Sequence, residues 1–379
     1  MVFLSLAARL EVNVEAFNAV ETVGNLAKHR RAPMVVPTSG GYRLVYVPAV
    51  SGESLANAYQ RALVEVARVV YRSEKLRPPL TEWDERCEFS KFMDNAHLTK
   101  SLRDLLGLDS KEGGEARKGR GRSSKQETTR PVQDLKHEFE KIAIAESIVA
   151  DIGGFLYAEE TPVKRTSRFY VGYLLPVYDA LDSLAIEAQF HARHMPAETV
   201  KERGVEAGEE GEERARRAQM IYYVEVASAV YGLSFALDVS GIGVTSLVKL
   251  EEAVSREERA RRVRVALGAL QLLFTGVGFG AKLSRFTPVR RVISAIATVT
   301  HPHPFTVSPP QLSNYISETV RRVASYRSLM AKLGVTPEIR VVTYGEEVKS
   351  VEGVTSSTTL EEFFEKVTSA TLDLFGKFG

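Results

Sequence analysis

The first residues of the chain alternate. Leu4, Leu6, Ala8, Leu10, Val12 and Val14 occupy every second position, the period of a strand with one half-buried face. Ser51-Gly52-Glu53 then opens a segment in which Leu55, Ala58, Tyr59, Ala62, Leu63, Val66, Val69 and Val70 recur at helical spacing, ending before Pro78-Pro79. Strand period returns at Leu184, Ile186, Ala188 and Phe190. Gln219 to Val239 is β-branched and aromatic, which again predicts a strand. Ser255-Arg-Glu-Glu258 reads as a capping box for a helix with Val263, Ala266, Leu267, Leu270 and Phe274 on one face. Pro288 to Thr300 predicts a further strand. A helix from near Pro310, a strand at Ile339–Tyr344 and an amphipathic helix at Leu360–Phe375 follow.

The order β, α, β, β, α, β predicts an α+β protein with a modified ferredoxin-like core, the arrangement of RNA-recognition folds, carrying large insertions. Residues 1–75 form the first half of that core and 182–310 the second. Residues 76–181 are an inserted helical region, and 311–379 a C-terminal extension. Two stretches break the apolar pattern. Gly107–Pro131 has Leu108 and Ala116 as its only apolar residues and seven basic against four acidic side chains, so it reads as a mobile loop. Within the second half, 196–218 is a charged insertion rich in Glu, Arg and Gly.

Composition narrows the function classes. With 50 Lys+Arg against 48 Asp+Glu the net charge is +2, so the chain is no polycation that coats nucleic acid by bulk charge; a local basic stripe remains possible. The single cysteine, Cys87, allows neither an internal disulfide nor a cysteine zinc site. The N-terminus has no signal-peptide pattern, and no run approaches the ~18 apolar residues of a membrane span. The expectation is a soluble cytoplasmic protein.

Candidate chemistry is basic and glycine-rich. Asn25, Lys28, His29, Arg30 and Arg31 cluster in an expected loop between the first strand and first helix, with donors suited to phosphate oxygens; a solvated basic turn has the same composition. Ser51, Gly52 and Ser54 sit at a helix start, where free N–H groups favour anions, though a plain N-cap needs only Ser51. Lys164, Arg165, Thr166 and Ser167 precede the aromatic Phe169-Tyr170, as in elements that hold phosphates and stack bases, or in an ordinary amphipathic hairpin. Gly276, Gly278 and Gly280 with Lys282 and Arg285 follow a helix, the wrong context for a dinucleotide fingerprint, but can cradle a backbone phosphate. His191 and His194 are a close pair without a metalloprotease pattern, and His191 is expected on the polar face of its strand, opposite Phe190. No nucleophile elbow or acid–base pair is visible, so no catalytic residue, metal site or cofactor is expected.

Tyr46–Gln60 (YVPAVSGESLANAYQ), with VKRTSRF, QFHAR and GVGFGAKLSR in order, resembles the DevR-type CRISPR-associated autoregulator family, whose archaeal members are backbone subunits of type I Cascade. The resemblance runs from Met1 to about Tyr315 and implies a crescent of palm, fingers and thumb built on an RNA-recognition fold. It implies no catalytic site. It implies as partners CRISPR RNA, target DNA through the guide, further copies of the same chain head to tail, and other Cascade subunits, with no membrane. On this chain it assigns Asn25, Lys28, His29 and Arg30 to a loop near the guide, and Ser51, Gly52, Ser54 and Asn57 to a phosphate-facing helix start. It further assigns Lys164–Ser167 to a finger, His191 with Arg193 to a strand end, and Gly276–Arg285 to the glycine-rich loop. A hairpin around Val163–Tyr173 is expected to reach the neighbouring copy. Two other classes stand beside this reading: a DNA-binding regulator, for which no helix-turn-helix with a basic recognition helix is apparent, and a metal-dependent ribonuclease using His191 and His194.

Overall fold

The computed structural model describes residues 1–17, 19–108, 131–193, 220–275, 283–345 and 353–379. All of the expected charged insertion 196–218 and most of the loop Gly107–Pro131 lie outside the described residues, as do His194, Gly276, Gly278, Gly280 and Lys282. The protein is α+β. Its axis is β1 (Phe3–Glu15), which pairs antiparallel with β11 (Met220–Asp238) on one edge and with β12 (Val289–His301) on the other. β10 (Ala185–Arg193) pairs antiparallel with the outer edge of β11, so four strands run β10–β11–β1–β12. Beyond β12 the sheet continues through β13 (Glu338–Gly345) and β14 (Thr355–Ser357).

The alternation in β1 is present, but the strand is buried on both faces. Leu4, Leu6, Ala8, Leu10 and Val12 enter the main core beneath α1 (Gly52–Ser73) and a later helix, α6 (Arg256–Thr275). Their alternates meet a second cover rather than water. Ala7 packs with Phe305, Val307, Tyr315 and Ile316, Ser5 Oγ accepts the Val307 N–H at 3.2 Å, and Arg9 grips Asp179 through two 2.9 Å bonds. Small and polar residues on the odd face are there because the segment before α7 (Tyr315–Lys332) lies directly upon it.

Ser51 caps α1: its Oγ accepts the Ser54 N–H at 3.3 Å. Tyr59 from the buried face of that helix donates to the Ala266 carbonyl at 2.9 Å, and Gly268 lets α6 approach, since a Cβ there would stand 2.8 Å from Val66. The capping box expected at Ser255 is half formed. Ser255 accepts the Glu258 N–H, but the Glu258 carboxylate turns inward to Tyr71, Arg261 and Arg262. The final helix, α8 (Leu360–Phe378), closes the main core with Phe363, Val367 and Leu374.

Two insertions depart from expectation. Between β1 and α1 the chain forms β2 (Ala19–Val23), β3 (Leu26–His29) and a two-stranded ribbon of β4 (Arg31–Thr38) and β5 (Gly41–Pro48). Asn25–Arg31 is therefore largely strand, not loop: β3 runs parallel to β11 past the point where β1 ends. In the second insertion, after α2 (Glu82–Glu85), α3 (Lys100–Leu105) and α4 (Val132–Glu146), comes α5 (Ile148–Gly153), then β6 (Phe155–Tyr157), β7 (Val163–Arg165), β8 (Phe169–Val171) and β9 (Leu175–Pro176). Val163–Tyr173 is not a projecting hairpin, because β7 pairs with β6 while β8 pairs with β11.

A buried ion network fastens this insertion to the core. Asp151 on α5 accepts Arg165 at 2.5 Å, Arg262 at 2.8 Å and the Gly243 N–H at 3.0 Å. Arg165 also binds Glu140 and the carbonyls of Asp151, Val244 and Gly241, and these charged side chains are shut from water. Replacing Asp151 by Asn is expected to cost about 3 kcal/mol, because two buried guanidinium groups each lose one of their two carboxylate partners, Glu140 and Glu258 remaining, while the shape is kept. Urea unfolding checks this, and a midpoint unchanged from wild type would contradict it. No helix among the described residues is long and apolar enough to cross a membrane.

Candidate nucleic-acid interface

The sequence candidates divide into a cleft, a sheet edge and the interior. The cleft, about 630 Å³, opens at the start of α1 and is bounded by Arg30, Ser51-Gly52, Ser167 and the Tyr170–Tyr173 backbone and rings. Arg30 enters it from the residue joining β3 to β4, and Ser167 from the turn between β7 and β8. Gly52 is required by the opposite wall, since a Cβ on it would sit 3.0 Å from the Val171 carbonyl oxygen. Ser167 spends its hydroxyl on the Phe169 carbonyl at 2.8 Å. Tyr170 and Tyr173 are half exposed and supply apolar ring faces. Ser54 is partly buried one turn in, and Asn57 points outward, accepting Arg61 Nε at 3.0 Å. Lys164 and Thr166 are exposed but do not line the cleft.

At the sheet edge, Asn25 precedes β3 and Lys28 lies within it on one side of the β11 start, and β10 lies on the other. The backbone carbonyl of Asn25 accepts the Tyr223 N–H at 2.8 Å. His191 is not on an open polar face. Its ring stacks on Tyr222 at 5.1 Å and meets the Phe286 edge at 5.5 Å, while Phe190 faces solvent with 58% exposure. Arg285 donates to the Tyr222 oxygen at 2.6 Å, which joins it to the same aromatic group. Arg193 ends β10 opposite Met220. Arg31 is exposed and pairs with Glu225 at 3.3 Å.

Two expected contacts lie inside the protein. Arg165 belongs to the Asp151 network, with its side chain fully buried. His29 is equally enclosed. Its Nδ1 faces the Arg30 carbonyl at 2.8 Å and its Nε2 faces Glu15 Oε1 at 2.6 Å. Both neighbours are acceptors, and Glu15 also takes the Tyr231 hydroxyl at 2.8 Å and the Phe17 N–H at 2.6 Å. The arrangement is a buried imidazolium–carboxylate pair. Burial opposes the charged ring, but the hydrogen bond and charge of Glu15, the Arg30 carbonyl and the charge of Glu225 outweigh it, so the His29 pKa is raised. A basic cluster in sequence therefore contains one residue that holds the fold and others that face outward.

Sequence reasoning passed over Lys91 and Gln60, which also line the cleft. Lys91 sits in no basic run or motif, and Gln60, though it ends the Tyr46–Gln60 stretch, carries no charge to mark it, so only the folded structure brings the two together beside the start of α1. Among the described residues, no group of three or more His, Cys, Asp and Glu side chains is disposed to hold a metal ion.

This architecture and its basic cleft can be set beside known proteins. The family model described as CRISPR-associated negative auto-regulator DevR/Csa2 matches residues 6–320. The chain is 34% identical over 370 residues to the CRISPR-associated aCascade subunit Cas7/Csa2 2 of Saccharolobus solfataricus, covering 96% of this chain and 99% of that protein. It is 32% identical over 307 residues to the Cas7/Csa2 1 protein of the same organism, covering 81% of each. Against the Cas7/Cst2/DevR protein of Methanocaldococcus jannaschii it is 25% identical over 357 residues, 93% of this chain and 98% of that one. The chain belongs to the DevR/Csa2 family.

The His29 pair has a pH signature. The folded protein holds the His29 proton more tightly than an unfolded chain, whose histidine titrates near 6.5. The pair's contribution is therefore complete below that value and is lost as pH rises through the raised folded one. Urea midpoints for wild type are expected to fall, as pH rises from below about 6.5, more steeply than for His29→Ala, which starts lower and loses this component. Parallel profiles would contradict the assignment.

Proposed function

We propose that this chain is a non-catalytic CRISPR RNA-binding backbone subunit of a type I Cascade surveillance complex, and that copies of it line up head to tail along the guide. The observation that carries this reading is the convergence of Arg30, the Ser51-Gly52 helix start, Ser167 and two tyrosines in one cleft, in a chain of the DevR/Csa2 family. Those groups suit a sugar–phosphate backbone with a neighbouring base: N–H groups and cations for oxygens, ring faces for stacking.

The strand order β10–β11–β1–β12, with α1 and α6 against the main core, supports a modified RNA-recognition fold. The other face of β1 and β12 is covered by the Phe305–Ile316 segment, so bases have no open surface to stack on there. Gripping the backbone at loops and helix starts fits a guide complex, where base pairing reads sequence and protein holds the strand. Under this reading Lys28, Arg30 and Arg31 contact phosphates. A triple alanine variant is expected to bind single-stranded RNA with a salt slope flatter by about 0.7 for each phosphate left unneutralised, and with weakening that is uniform across sequences. An unchanged slope would remove these residues from the guide path.

Assembly is best assigned to the β4–β5 ribbon. One face, with Met34, Val36 and Val47, packs on Leu175, Tyr178, Leu181 and Leu184. The other presents Val35, Tyr42, Leu44 and Tyr46 to solvent, with Tyr42 80% exposed. A row of apolar side chains on a projecting ribbon fits a heterologous contact with the next copy, the type of contact that yields an open helix. Lined-up copies then bind one guide with an avidity no single short site has. Changing Tyr42, Leu44 and Tyr46 to Ser is expected to leave a folded monomer that binds short RNA but forms no array on a full-length guide. Electron microscopy showing arrays of normal pitch would exclude the ribbon as connector.

A further inference from the structure

Lys91 is a partly buried cation with no carboxylate partner among the described residues. It lies in the turn after α2, where Cys87, Phe89, Lys91 and Phe92 have φ of 58°, 48°, 46° and 60°. Each left-handed non-glycine residue costs energy, and such turns persist only where packing enforces them. Here Phe92 is the anchor: it is buried with Leu98, Leu102 and Phe139, its ring 5.7 Å from Phe155. The turn thereby sends Lys91 back toward the start of α1.

There the ammonium donates to Gln60 Oε1 at 3.0 Å and the Gly153 carbonyl at 3.4 Å, both neutral. Gln60 is itself fixed by its bond to the Ala56 carbonyl at 3.1 Å. Burial pushes the Lys91 pKa down, and the more distant Asp84 charge opposes this. Among the described residues the fully buried arginines are neutralised: Arg9, Arg165, Arg259 and Arg262 each meet a carboxylate within 3.2 Å. Arg30, across the cleft, resembles Lys91, for its Nε is buried without a hydrogen-bond partner among the described residues. Two cations without a described carboxylate partner thus line one cleft, and its single acidic lining residue, Glu53, is exposed. Leaving a partly buried ammonium without a counter-charge is unfavourable. An anion that enters with its own charge would relieve it.

We propose that Lys91 is a guide-binding residue: it and Arg30 clamp a phosphodiester of the RNA in this cleft, with the adjacent base against Tyr170 or Tyr173 and Gln60 acting as the positioning residue for the ammonium. This rests on the reading of the chain as an RNA scaffold, and adds to it a contact from the helical insertion that no basic motif marks.

The test compares full-length wild type with Lys91→Met and Lys91→Arg, using an oligouridine ribonucleotide and stability without RNA. Met keeps the length of the side chain and removes the charge. Lys91→Met should be at least as stable as wild type without RNA, bind the oligomer about tenfold or more weakly, and show a salt slope flatter by about 0.7; Lys91→Arg should restore the slope. A destabilised Met variant with an unchanged slope would make Lys91 a structural prop and overturn the proposal, while the scaffold reading would stand. A wild type that binds no RNA would sink the scaffold reading. The anion site is then judged with inorganic phosphate, which must stabilise wild type beyond chloride of equal ionic strength but not Lys91→Met; no such difference overturns it. Wild-type protein alone offers one more measurement, since acetylation of Lys91 followed by mass spectrometry should slow when the oligomer is bound. An unchanged rate in a protein that does bind would also refute the assignment.

Discussion

Asp151 receives two guanidinium groups that come from opposite parts of the chain. Arg165 arrives from β7, and Arg262 from α6, 111 residues after Asp151 itself. Neither arginine reaches water, so neither segment can shift without leaving an uncompensated charge behind. This node fixes the helical insertion against α6, and α6 is held to α1 through Tyr59 and the close approach at Gly268. The cleft walls follow from that chain of constraints. Ser167 and Tyr170 stand immediately after Arg165, while Ser51-Gly52 begins the helix that α6 supports.

The second constraint is the double cover of β1. β1 has both faces occupied by the protein's own side chains, whereas an open RNA-recognition sheet keeps one face for bases. Arg9, Ser5 and Ala7 mark the change, being the polar and small alternates that let the Phe305–Ile316 segment close down. With β1 and β12 covered on this face, what stays open to nucleic acid is the periphery: the start of α1, the turn carrying Ser167, and β10 with the start of β11, where Phe190 and Tyr223 are exposed. That suits a protein that must hold a strand while leaving its bases free to pair.

Much of the core was legible because the determinants are local. Alternation located β1 and β10, β-branched and aromatic composition located β11, the Pro288–Thr300 segment matched β12, and a serine before helical periodicity located the start of α1 to the residue. The insertions were not legible to the same degree. The ribbon carries Pro33 and Pro37 within its strands, which weakens a strand pattern read from residue types alone. The half-formed box at Ser255 shows another limit: the local rule expects Glu258 to reach back to the helix start, but Tyr71 and Arg262 compete for it from elsewhere in the fold. Among site residues, His29 and Arg165 have the composition of phosphate binders and the burial of structural ion pairs, and only their partners, Glu15 and Asp151, separate the two cases.

That distinction turns charge counting into charge accounting. The chain holds nearly equal numbers of acids and bases, so its total says little about ligands. What matters is where the balance fails locally. Around Asp151 every buried cation is matched, and the region is architecture. At the mouth of α1 the matching stops: Lys91 has only neutral acceptors, and the Nε of Arg30 is enclosed without one. Folding tolerates such a deficit when it is small and near the surface, and an incoming polyanion converts it into binding energy at that place. A scaffold with little net charge can then grip a guide firmly at chosen points without attracting nucleic acid over its whole surface.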